Sequence, residues 1–428
     1  MHALGFFVLA VVLFAFGLVS RRAQRLPVTP PMLFVALGFA VGGAGFHLLD
    51  LQIEQSVTHT LAELTLVVIL FGDATRIDLA GLRRQHDLPM RLLTIGLPLT
   101  MLFGTLAGAA LLPGLNIWQV ALLAAILAPT DAALGQAVVG SAAVPVRIRQ
   151  TLNVESGLND GIALPAVLIF FSVACAVEAQ ESITYWLGFT ALQLTVGPLV
   201  GALVGGVGGR LIDRAHAAGL MDDTFRRLAA VALALMAYTG AELVYGNGFI
   251  AAFIAGLVLG NTAESAEAVE GFVEAEGQLL ALFVFLLFGG SLVPLLFADG
   301  VITPQVLVYA VLSLTVVRML PTAIALIGKH LDWRTVVFLG WFGPRGIASI
   351  LFVLLVLEND QTAVSHDVLL PIVVVTVLLS VFAHGLTAAP GAAWYGQAMG
   401  QEDDMPEQRR VPAMPLRLSG EADAPSTR

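Results

Sequence analysis

Apolar runs of about twenty residues recur so densely along this 428-residue chain that only short polar stretches are left between them. In hydrocarbon each run has to satisfy its own backbone hydrogen bonds, which leaves helices or a closed barrel. A barrel needs strands alternating apolar and polar at every second residue, and these runs do not alternate. The 43 glycines and 20 prolines suit helices that pack closely and break in places. About thirteen candidate spans follow, near 3–20, 31–48, 57–75, 91–112, 117–140, 151–176, 185–209, 228–245, 247–261, 275–297, 304–328, 335–357 and 368–390. The expectation is an all-α polytopic membrane domain over 1–395, with a short disordered cytoplasmic tail over 396–428, where the composition turns polar and Pro-rich. The first run lacks a basic leader and is followed at once by Arg21 and Arg22, so it reads as a retained first helix.

Orientation can be read from the basic residues. With thirteen crossings and an outside N-terminus, 19 of the 21 Lys and Arg residues fall in inner loops or the tail. Moving one crossing would scatter them over both faces. The other two, Arg318 and Arg345, lie inside spans. The chain should therefore sit in the cytoplasmic (inner) membrane with its N-terminus out and C-terminus in. The net charge of -10 resides in loops and tail, no basic or aromatic run suggests nucleic acid, and Cys175 has no cysteine to pair with. His residues, His384 among them, are read at the two faces and show no zinc spacing.

Ionisable groups within spans are costly, so each is a functional candidate. In "TLNVESGLNDGIALPAVLIFFSVACA", Asp160 lies eleven residues past Arg149, or ~16 Å into the membrane. Glu155 with Asn159, and Ser156 with Asp160, are spaced i,i+4 and make one stripe; Gly157 and Gly161 let another backbone approach. Two carboxylates stacked at mid-membrane require a counter-ion, a proton or a metal cation. Span five reads "APTD": Pro129 removes a helix hydrogen bond and frees carbonyls near Thr130, and Asp131 follows. Span twelve breaks at "GPRG" around Arg345. Paired broken helices at matching places in two halves mark transporters built from inverted repeats. Arg345 requires a carboxylate, and Glu155 is the expected partner, leaving Asp160 to bind and release. Arg318 is a lesser candidate that could also pair or snorkel.

"APTD", "ESGLNDG" and "GPRG", in that order with "GFIAAFIAGLVLGN" between the last two, resemble the cation:proton antiporters of the NhaP and NHE group over about residues 1–395. The resemblance implies a thirteen-helix NhaA-like fold with two broken crossing helices, a core moving against a dimerisation domain, and exchange of Na⁺ or Li⁺, with K⁺ as an alternative, for H⁺. It implies Asp160 as the ion- and proton-binding carboxylate, Asn159 as its neutral neighbour, and Asp131, Thr130 and Ser156 as the rest of the Na⁺ site, with Glu155 and Arg345 a structural pair. Many bacterial members carry an acid directly after the Phe of span three, where this chain has Gly72 and then Asp73, which makes Asp73 a secondary candidate. No cofactor is implied beyond the transported ions; the partners are cations, protons, lipid and a second copy of the chain. Because Asn159 does not titrate, one proton should replace one cation, giving electroneutral exchange. The rivals are a cation channel or uniporter carrying no protons, and an intramembrane aspartic protease, which the midplane arginine and twin broken helices disfavour.

Overall fold

The structure, a computed structural model, describes residues 7, 10–18, 28–42, 45, 55–80, 82, 87–178, 182–264, 266–298, 300–359, 368–399 and 406–408. Every regular element among them is helical. In chain order these are α1 (Pro30–Val41), α2 (Gln55–Thr75), α3 (Asp87–Leu111, with a π turn at Leu92–Gly96), α4 (Ile117–Ile126), α5 (Ala132–Val139), α6 (Val146–Glu178), α7 (Ile183–Ala217), α8 (Asp223–Glu242), α9 (Gly248–Thr262), α10 (Ala266–Leu287), α11 (Pro304–Leu314), α12 (Val316–Ala325), α13 (Trp333–Trp341), α14 (Ile347–Asn359) and α15 (Leu370–Met399).

Among the described residues, six helical stretches are long and apolar enough to cross a membrane: Asp87–Leu111, Val146–Glu178, Ile183–Ala217, Glu276–Phe297, Pro304–Ala325 and Leu370–Met399. Two of the expected spans are interrupted where proline and glycine stop the helical ladder. Span five is two half-helices, α4 and α5, either side of residues 127–131. Span twelve is likewise α13 and α14 either side of 342–346. Span eleven carries a break the sequence did not announce: α11 ends at Leu314, and Thr315 turns to φ −111°, ψ −96° before α12 begins. Thr315 Oγ1 donates to Val311 O at 2.6 Å, a side-chain bond to the backbone that competes with the helical pattern.

Packing sorts the helices into two groups. α9 lies between α7, α8 and α2, while α10 covers α1 and α2. α4 and α6 pack together, α3 covers α4, and α15 runs past α5, α11 and α14. Three glycines of α7, Gly197, Gly201 and Gly205, lie against backbone oxygens of Asn247, Ala251 and Ala255, so α7 and α9 touch backbone to backbone. The two broken spans lie within the second group and cross each other there.

α15 continues to Met399, past the domain boundary expected at 395. Of the expected tail, residues 400–405 and 409–428 lie outside the described residues, but Pro406–Gln408 forms a docked turn. Glu407 is buried, and its Oε1 accepts from Asp332 N–H at 2.8 Å and from Thr335 Oγ1–H at 2.9 Å. The carbonyl of Pro406 accepts from the Arg147 guanidinium at the start of α6, and Arg147 also pairs with Asp87 at 2.8 Å. Those contacts join the neighbouring ends of α3, α6 and α13.

Candidate functional site

The two interruptions satisfy each other's free backbone groups. Where α4 stops, its last carbonyls have no helical partner and carry the negative end of a helix dipole. Arg345, fully buried, donates through Nη1 to Ala128 O and, at 3.1 Å, to Pro129 O; Ser349 Oγ donates to Ile126 O at 2.8 Å. Where α14 starts, the unpaired N–H groups carry the positive end, and Asp131 Oδ2 accepts from Ile347 N–H at 2.9 Å. The backbones also meet directly, Asp131 N–H donating to Pro344 O at 2.8 Å. Each half-helix end is thus matched by a charge of opposite sign from the other span.

This arrangement corrects the expected pairing. Glu155 does not bind Arg345: both its carboxylate oxygens are taken by Arg318, Nη1 to Oε1 at 2.6 Å and Nη2 to Oε2 at 2.8 Å. Two buried arginines compete for one buried carboxylate, and the turn at Thr315 lets Arg318 reach it with the bidentate geometry guanidinium favours. Arg345 finds carbonyl oxygens instead. A search restricted to carboxylates overlooks that partner, although the "APTD" break guarantees that such carbonyls exist.

Two residues of the α6 stripe meet Thr130 of span five. Asn159 Nδ2 donates to Thr130 Oγ1 at 2.7 Å and to Thr130 O at 3.3 Å, and Thr130 Oγ1 lies 3.1 Å from Ser156 Oγ. Thr130, Asp131, Ser156, Asn159 and Asp160 are all at most 8% exposed. Asn159 Oδ1 is buried without a hydrogen-bond partner among the described residues. An orphaned buried acceptor beside hydroxyl and carbonyl oxygens suits a hard monovalent cation as cargo. Among the described residues no group of three or more His, Cys, Asp or Glu side chains is placed to hold a metal ion. Asp73, in the last turn of α2, is also buried.

Ser380 and His384 of α15 were not anticipated at the site. Ser380 Oγ accepts from Arg345 N–H at 2.7 Å, His384 lies 3.2 Å from that hydroxyl, and the Trp341 ring stacks near the imidazole at 4.9 Å between centroids. His384 is buried within α15. No sequence signal marks them beyond being polar within a span.

Gly346 is fixed by close approach. A Cβ there would fall 2.6 Å from Cβ and 2.7 Å from Cγ of Asp131, against the carboxylate that caps α14. Gly346→Ala should cost about 1–3 kcal/mol through this overlap and lower exchange along with the melting temperature. An unchanged melting temperature would show that the crossing relaxes freely.

Comparison with known proteins agrees with this geometry. The family model described as sodium/hydrogen exchanger, transmembrane, matches residues 8–394. The K(+)/H(+) antiporter NhaP of Alkalimonas amylolytica is 27% identical over 92% of this chain and 67% of its own length. The K(+)/H(+) antiporter NhaP2 of Shewanella sp. ANA-3 is 25% identical over 81% of this chain and 59% of its own, so the chain spans only part of that relative. A Na(+)/H(+) antiporter of Schizosaccharomyces pombe is 24% identical over 79% of this chain and 78% of its own. The solved structure of the sodium proton antiporter MjNhaP1 from Methanocaldococcus jannaschii at pH 8 superposes with a TM-score of 0.75 at 23% identity, covering 92% of this chain and 99% of that one. This chain is an integral membrane protein with the MjNhaP1 fold, and it belongs to the transmembrane sodium/hydrogen exchanger family.

Proposed function

We propose that the protein exchanges a monovalent cation, Na⁺ or Li⁺ with K⁺ as the alternative, for H⁺, the two competing for Asp160 as the site is exposed alternately to each side. The observation that carries this reading is the placement of Asp160, buried on a stripe whose Thr130, Ser156 and Asn159 oxygens are gathered where span five is unwound. A carboxylate buried there is unstable as a bare anion, so a proton or a cation stays on it. If the core crosses only with the site occupied, exchange follows without further machinery.

One proton for one cation is supported by the neighbours. Asn159 does not titrate, and Asp131 Oδ2 accepts from Ile347 N–H at the N-terminus of α14. The same engagement leaves Asp160 without the second carboxylate that a protease dyad would need. The basic residues favour an inner-membrane orientation, N-terminus out and C-terminus in, and a homodimer completes the proposal. The relatives' names divide between K⁺ and Na⁺, so cargo is a matter for measurement.

In proteoliposomes with an imposed pH gradient and clamped potential, Na⁺, Li⁺, K⁺ and Rb⁺ are added in turn. At least one should collapse the gradient, at a rate independent of voltage. No response to any of the four would overturn the antiport reading, and a voltage-dependent rate would overturn electroneutrality.

A further inference from the structure

The two glycines nearest Asp160 in sequence, Gly157 and Gly161, meet apolar side chains that come from outside the crossing. α2 and α9 run side by side in close contact, with Gly256 set against Phe71 O and Gly260 against Thr75 O. One turn before Gly256, on the same face of α9, Phe253 presents its ring to α6. The ring lies on Gly161, the residue after Asp160, so closely that a Cβ there would overlap its Cδ2, Cε2 and Cζ atoms. Just past the end of α2, Ile77 lies toward Gly157, where a built Cβ would find Ile77 Cδ1 at an ordinary 3.6 Å. Ile77 is itself held to α9, because Asn261 Nδ2 donates to Ile77 O at 2.7 Å and Asn261 Oδ1 accepts from Leu79 N–H at 2.9 Å. Phe253 and Ile77 are both buried.

Building on Asp160 as the carrier, we propose that Phe253 is the sealing residue of the ion site: its ring on Gly161 closes the route from Asp160 toward the Glu178 end of α6. Ile77 on Gly157 is the looser seal toward the Val146 end. An apolar constriction excludes water and hydrated ions by dewetting, so a single ring suffices where the opposing surface is a bare glycine. The α2–α9 pair supplies both seals and α6 supplies both seats, so sliding one against the other opens one route while the other stays shut. Gly161 has to lack a side chain for the ring to seat. This explains the glycine of "NDG" by contact rather than by backbone conformation.

Access can be read without transport. In a Cys175→Ser background, Asp160→Cys is labelled in sealed vesicles by a membrane-impermeant charged thiol reagent, applied separately from each face. Labelling should be slow from the face on the Glu178 side and faster from the Val146 side. Phe253→Ala should raise the Glu178-side rate by at least about tenfold, since the constriction is gone; Phe253→Leu should restore most of the protection, and Ile77→Ala should act from the other face alone. Unchanged labelling in Phe253→Ala would overturn the proposal. So would labelling that rises equally from both faces and is not restored by leucine, because that outcome reports loosened packing. If Asp160→Asn retains exchange, the carrier reading falls while the accessibility result stands on its own.

Discussion

Asp160→Asn is expected to lower cation-driven collapse of a pH gradient by at least about a hundredfold while leaving the protein folded, since it removes the carboxylate for which proton and cation are proposed to compete. Asparagine keeps the size and a carbonyl oxygen, so the packing around α6 should survive. It cannot take up or give off a proton, and it offers a cation a dipole in place of a charge. Thr130, Ser156 and Asn159 are neutral, so none can substitute as the carrier of the proton. The measurement is the initial rate of dequenching in proteoliposomes, together with the melting temperature in detergent. A rate within two- to threefold of wild type, at unchanged melting temperature, would remove Asp160 from the centre of the mechanism and send the search to other buried acids.

The outlines of both fold and site were legible because they rest on strong local physics. Hydropathy fixes where helices cross, and Pro129, Gly343 and Pro344 announce two interruptions that backbone hydrogen bonding makes unavoidable. The i,i+4 spacing of Ser156 with Asp160 put them on one stripe, and the structure adds Thr130 to it through hydrogen bonds. What was not legible depends on tertiary geometry. Nothing in "LSLTVVRML" forces a break at Thr315, yet that turn decides which arginine reaches Glu155. Charge counting paired Glu155 with Arg345, because a sequence displays carboxylates and hides carbonyls. Nor does the sequence show that Asp131 Oδ2 accepts from the N-terminus of α14. Glu407, in a stretch whose composition suggested disorder, is buried by two donors far away in the chain.

Arg318→Ala should be the most destabilising single change outside the stripe, by about 3–5 kcal/mol, because it strands a buried carboxylate that had two charge-assisted hydrogen bonds. Both partners are almost wholly inaccessible, Arg318 at 2% and Glu155 at 3% exposure, so water cannot take over the lost contacts. Glu155→Gln alone should cost less, since the amide still accepts from the guanidinium, although it leaves Arg318 with an unneutralised charge. Adding Glu155→Gln to Arg318→Ala should recover much of the loss, because the stranded charge disappears. In a double-mutant cycle the coupling between these two positions should therefore be large. The same cycle between Glu155 and Arg345 should give little, since Arg345 holds Ala128 and Pro129 carbonyls. Arg345→Ala would still destabilise, by freeing the end of α4 rather than by orphaning Glu155. Equal coupling of Glu155 to both arginines would mean that the carboxylate is shared; coupling to Arg345 alone would reinstate the pairing that charge counting suggests. Glu155 held by Arg318, and Asp131 Oδ2 accepting from α14, are the contacts that support the proposal of Asp160 as the carboxylate that exchanges its partner.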